Sequence, residues 1–238
     1  GRHCHYWSVG EEILETAANA RLRSVGLGYL CHLAADTVAH NYFIPRQLVL
    51  TSSTRALGHS YWEHRLDARL GTEMSARARE TVMDYDHSEA DAHLDDVLSG
   101  TIFSFETNRR IFRGMIRIQD NDRWRAVFER VVHQSRWDLA DEEAEAYLSR
   151  AFNYMVEYLL REDEAFPTRL DPTGQENLRI AKRVRREALR DGAWRDRTRL
   201  HEIADQYFPL PRRRLGYWER TRDRDPLARD GSEADEGS

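Results

Sequence analysis

The stretch 28-GYLCHLAADTVAHNYFIP-45 places His32, Asp36 and His40 four residues apart among Leu30, Leu33, Ala34, Ala35, Val38 and Ala39. Its apolar positions recur at helical spacing rather than alternating, which predicts an α-helix. Positions four apart on a helix are rotated by only about 40°, so the three polar groups line up as a stripe about two turns long. Polar groups entering a core unpaired cost roughly 1–3 kcal/mol each, and an ionised carboxylate costs more. A metal ion would satisfy all three, because imidazole and carboxylate are ligands of choice for zinc. The stripe spans about 12 Å, too far for one ion to hold both histidines. One aspartate between two histidines instead suggests a carboxylate bridging neighbouring ions in a multinuclear site. The alternative is a metal-free hydrogen-bonded network in which every member finds a partner.

Working outward, the six prolines fall at positions 45, 167, 172, 209, 211 and 226. The long proline-free interval between the first two favours helices. Within it, 101-TIFSFETNRRIFRGMIRI-118 spaces Ile102, Phe105, Phe112, Met115 and Ile116 along one helical face. The stretch 145-EAYLSRAFNYMVEYLL-160 repeats the pattern with Leu148, Ala151, Phe152, Met155, Tyr158 and Leu159. Residues 11–22, 25–42, 54–70, 76–98 and 124–137 also read as helix, and no alternating β-branched run competes. Residues 175–206 predict a further helix, dense in arginine. The expected fold class is all-α, a compact multi-helix domain over residues 1–210. A basic-aromatic arm over 211–224 and an acidic disordered tail over 225–238 are expected to follow it.

A chain of 238 residues with 40% hydrophobic and 32% charged residues fits a globular protein rather than a disordered or membrane one. Nothing approaches the ~18 consecutive apolar residues of a membrane span, and no charged leader followed by an apolar stretch is visible. Much of the net charge of −5 lies at the C-terminal end, where Asp225, Asp230, Glu233, Asp235 and Glu236 face only Arg229. The near-neutral body gives no global signal for nucleic acid. Two cysteines, Cys4 and Cys31, make no disulfide framework. The compartment is left open between cytoplasm and export.

Further histidines flank the opening stretch. In 58-GHSYWEHRL-66, His59 and Glu63 are four apart on one face, and 1-GRHCHYW-7 supplies His3 and His5 just before a helix. Six of the ten histidines lie in the first 64 residues, a clustering that needs a cause. The segment 84-DYDHSEADAHLDD-96 carries His87, Asp91 and His93, but its polar character reads as an exposed helix or loop. No glycine-rich phosphate loop, Gly-x-Ser-x-Gly elbow or paired-cysteine motif is present. Gly26 and Gly28 are expected to permit tight helix packing or close approach to a ligand.

The opening stretch, followed by GHSYWE, resembles the zinc-dependent phospholipase C family of bacteria over about residues 4–66. Its His-x-x-x-Asp-x-x-x-His form is also similar to the metal-site segment of glycosylphosphatidylinositol-specific phospholipase D and, more distantly, to the single-strand-specific zinc nucleases. The resemblance implies an all-helical fold whose core helices present a three-zinc cluster, and two or three zinc ions are expected here. Matched position by position, it implies His5, His32, Asp36, His40, His59 and Glu63 as metal ligands, with His3 the alternative to His5. Asp36 would be the bridging carboxylate. The secreted phospholipases place the ligand matching His40 two residues later, whereas the phospholipase D-like branch has the shorter spacing. The family also supplies an aspartate and a terminal ligand upstream of His5, where this sequence has four residues, so one zinc position is expected to be incomplete or its segment lacking.

The activity implied is phospholipase C-like hydrolysis of a phospholipid or related phosphodiester by a zinc-bound hydroxide, with Asp36 as the catalytic carboxylate that orients the ions and accepts a proton. Tyr42, Phe43, Tyr61 and Trp62 are expected to line the substrate cleft or else to be core. Separately from the resemblance, Arg212, Arg213 and Arg214, beside Tyr217 and Trp218, read either as a solvated helix face and an extended arm packed on the body or as a peripheral contact for phosphates or an anionic membrane surface. The competing readings are a single-strand nuclease of the same fold and a non-catalytic helical protein with a structural zinc site.

Overall fold

A computed structural model of the chain describes residues 4–51, 58–98 and 139–210. Among them every regular element is helical, as the all-α expectation requires. The helices are α1 (Trp7–Glu15), α2 (Ala20–Val38), α3 (Ile44–Leu50), α4 (Gly58–Asp67), α5 (Gly71–Asp84), α6 (Ser88–Leu98), α7 (Asp141–Arg161), α8 (Gln175–Arg190) and α9 (Arg197–Tyr207). The segments 101–118 and 124–137 and the C-terminal arm and tail lie outside the described residues.

Several helix ends differ from the periodicity reading because side-chain caps interrupt it. The span 11–22 is divided: α1 stops at Glu15, and Asn19 starts α2 by accepting the Leu22 N–H at 3.0 Å. The span 76–98 is two helices, with Asp86 accepting the Ser88 N–H at 3.0 Å between them. The span 175–206 breaks at Gly192, whose φ of 72° is left-handed, and Asp196 then caps α9.

α2 is the central element. It packs on α1 along one side and on α7 along another, burying Leu22, Leu30, Leu33, Ala34 and Val38. Gly26 permits the α1 contact: a Cβ there would lie 2.8 Å from the Leu14 Cα, so no larger residue fits without moving α1. Gly28 is exposed with open space around it and serves no such contact.

After α2 the chain widens into a π-helical turn, Ala39–Phe43, in which the Ile44 N–H reaches the Ala39 carbonyl. Pro45 supplies the reason. It has no N–H for the Asn41 carbonyl, and in α register its ring would strike that carbonyl. Asn41 stabilises the widened turn by donating to the Thr37 carbonyl at 2.9 Å and to the Asp171 carbonyl at 2.8 Å. Insertions of this kind re-aim the side chains they carry, here His40.

α3 then packs on α4, α8 and α9. Its Arg46 is 2% exposed and reaches Glu143 on α7 at 3.3 Å, Asp205 on α9 at 2.5 Å and the Phe208 carbonyl at 3.0 Å. Phe43 and Trp62 stack edge-to-face and, with Tyr147 of α7, form the aromatic centre of the core. α8 buries Ala181, Val184 and Ala188 and leaves its arginine-rich side to solvent, so its first turn sits beside the end of α2.

Candidate metal centre

His32 and Asp36 occupy successive turns of α2, and His5 enters from the segment leading into α1. The His32 Nε2 lies 3.3 Å and the His5 Nδ1 3.5 Å from the same atom, Asp36 Oδ2. That oxygen is buried and makes no hydrogen bond, although two imidazole nitrogens stand beside it. Around a tetrahedral ion ligated at about 2.1 Å, donor atoms are about 3.4 Å apart. The observed separations match that edge. An orphaned carboxylate oxygen flanked by two nitrogens at ligand spacing fits a divalent cation better than a hydrogen-bond network.

His40, on the π turn, meets His59 and Glu63 of α4 in a second group. Glu63 Oε1 lies 2.9 Å from His59 Nε2 and 3.4 Å from His40 Nε2. The His40 Nδ1 is 2.6 Å from the Pro172 carbonyl. A carbonyl only accepts, so Nδ1 carries the hydrogen and Nε2 turns toward Glu63. Nε2 meets that carboxylate either as a protonated donor or with a cation between them. Burial lowers the proton affinity of His40, but the Glu63 hydrogen bond, the Asp36 charge and the Pro172 carbonyl together raise its pKa above the ordinary value. The two histidine hydrogen bonds, His40 first, outweigh partial burial and hold Glu63 down at about 2. The first group's carboxylate thus acts on the second group's histidine, and the two are electrostatically joined.

Both groups line a single cleft of about 390 Å³, together with Thr173 and Gln175. All six ligands expected from the sequence therefore reach one space. The arrangement differs from the expected stripe. His32 and Asp36 stay together, but the π turn hands His40 to α4, so the helix presents two donor groups rather than one row. Nor is the row uniformly buried: the His32 side chain is 52% exposed and Asp36 13%. None of the four expected aromatics lines the cleft. Phe43 and Trp62 are core, and Tyr42 and Tyr61 are half-buried against it. His3 lies outside the described residues. His87 and His93 bond the Thr81 and Ile13 carbonyls, away from the cleft.

Thr173, Gln175 and the Pro172 carbonyl were not anticipated. The sequence 171-DPTGQ-175 signals a turn into a helix, but a backbone acceptor 132 residues from its histidine leaves no trace in local spacing.

Two sets of nitrogen and carboxylate donors opening on one cleft of a helical scaffold have the chemistry of a zinc centre. Residues 1–108 match the family model described as zinc dependent phospholipase C, a family of hydrolases, and all six donors fall inside the match. The resemblance carried by the opening stretch and the family match therefore agree. No curated protein and no solved structure matches the chain.

Proposed function

We propose that residues 1–210 act as one zinc-dependent phosphodiesterase unit, hydrolysing a phospholipid or a related phosphodiester in the manner of phospholipase C. The observation that carries this reading is the convergence of His5, His32 and Asp36 with His40, His59 and Glu63 on one open cleft. Each group offers three protein donors, which leaves a fourth tetrahedral position for water or substrate, whereas structural zinc sites are closed by protein. Side chains of His32, His59 and Glu63 that remain over a third exposed agree with access from solvent.

Zinc, when bound, supplies Lewis acidity that brings water deprotonation toward neutral pH and offsets charge on phosphoryl oxygens. The protein's part is to hold and tune. Glu63, kept ionised far below neutral pH, provides permanent negative charge in its group. Asp36 supplies charge felt by both groups and is assigned the role of accepting a proton from attacking water. Thr173 and Gln175 form the polar edge toward the substrate.

The test is metal analysis after zinc reconstitution, with hydrolysis of phosphatidylcholine vesicles and of a chromogenic phosphodiester. Wild type should bind at least one zinc per chain and release phosphorylated headgroup, and His59→Ala should lose the activity. A chain carrying stoichiometric zinc with no hydrolysis of any phosphodiester would leave the structural-zinc reading standing instead.

A further inference from the structure

Residues 171–175 lie outside the family match, yet they build one wall of the cleft and touch the most buried histidine in it. His40 donates from Nδ1 to the Pro172 carbonyl at 2.6 Å. Gly174 of the same turn packs against His40 as well. Gly174 has φ +56°, and a Cβ there would lie 2.2 Å from the His40 carbonyl oxygen and 2.6 Å from its Cβ. Gly174 is thus required twice, for its left-handed conformation and for the contact.

The turn is also held from both ends. Asp171 Oδ1 accepts the Thr173 N–H at 3.0 Å and its hydroxyl at 2.8 Å. Asn41, one residue beyond His40, donates to the Asp171 carbonyl, and Asn177 donates to Asn41 Oδ1 at 2.8 Å. The π turn and residues 171–177 are therefore laced together through Asn41, next to His40. Such carbonyl partners fix the tautomer and plane of a ligating imidazole, and their loss typically weakens metal binding about 10- to 100-fold.

We infer that the 171–174 turn is a positioning element for His40, holding its hydrogen on Nδ1 so that Nε2 faces His59 and Glu63 as the ligand atom. The inference rests on the zinc-centre reading above, and it says which distant segment sets the affinity of the second donor group. Thr173, buried beside Pro172 and lining the cleft, belongs to the same device.

Two measurements test it. The first needs no variant. In metal-free wild type at alkaline pH, imidazole nitrogen NMR should find the His40 hydrogen on Nδ1, and a hydrogen on Nε2 overturns the inference. The second compares zinc affinity in wild type, Gly174→Ala and Thr173→Val, by competition with a chromophoric chelator, circular dichroism reporting the fold. In folded variants the zinc equivalent held by His40, His59 and Glu63 should lose about 10-fold or more in affinity, and His40 in Gly174→Ala should no longer hold its hydrogen on Nδ1. Unchanged zinc affinity and tautomer in a folded variant overturns the inference. If wild type binds no zinc, the zinc-centre reading fails, while the tautomer result still decides whether the turn orients His40.

Discussion

Replacing Asp36 by Asn should have opposite consequences with and without metal. In the metal-free protein, Asp36 Oδ2 is buried without a hydrogen bond, so an amide in its place forfeits no hydrogen bond there. Asp36→Asn should therefore leave metal-free stability unchanged or raise it by up to about 1 kcal/mol. With zinc the sign reverses. Four-ligand zinc sites are worth about 10–16 kcal/mol in total, so one donor represents roughly 3 kcal/mol, on the order of 100-fold in affinity. At zinc concentrations far above Kd, a 100-fold weaker site removes about 2.7 kcal/mol of linked stability, or about 5–11 °C in Tm for a chain of this size. Thermal scans of wild type and Asp36→Asn, each in excess zinc and in chelator, give the four values needed. An equal drop in Tm in zinc and in chelator would refute the reasoning and make Asp36 an ordinary structural carboxylate.

Arg46→Met should destabilise the fold by about 3 kcal/mol, the lower end of the cost of breaking a buried pair, because Asp205 is exposed and Gln47 still donates to Glu143 at 2.8 Å. Urea denaturation reads this, and zinc stoichiometry should not change. Gly26→Ala should cost about 1–3 kcal/mol by overpacking against the α1 backbone. Because His5 is carried in beside α1, and Tyr29 donates to the Cys4 carbonyl at 2.6 Å, this variant should weaken zinc binding at the His5 group more than at the His40 group. In chelator, stability should peak between the two shifted groups. Glu63, lowered from 4.5 to about 2, contributes above the ordinary glutamate range and loses that contribution as pH falls toward 2. His40, raised from 6.5, contributes below that value and loses it as pH rises through its folded-state range. Tm measured against pH in metal-free protein should show both flanks, and zinc affinity should fall as acidification protonates the histidine donors.

The parts of the centre written in local spacing were legible. His32 with Asp36 and His59 with Glu63 are each one helical turn apart, and each pair does present its donors together, at 3.3 and 2.9 Å. His40 carries the same spacing but sits where Pro45 forces a wider turn, so regular helical geometry misplaces it. That proline was visible, but the partner that stabilises the widened turn, the Asp171 carbonyl, is 130 residues away. The aromatics show the same limit. Composition cannot say whether Phe43 and Trp62 face a cleft or a core; Tyr147, arriving on α7, decides it. Helix type was readable from periodicity, whereas helix ends depended on single capping side chains at Asn19 and Asp196.

The bond from His40 to the Pro172 carbonyl has a consequence for how the chain acquires its centre. During synthesis all six donors, the last of them Glu63, leave the ribosome long before the Pro172 acceptor that aligns His40. A nascent chain ending at residue 170 would carry all six donors while His40 still lacks its carbonyl partner. Grip would come first and aim last, with the alignment of His40 waiting on residues 171–174.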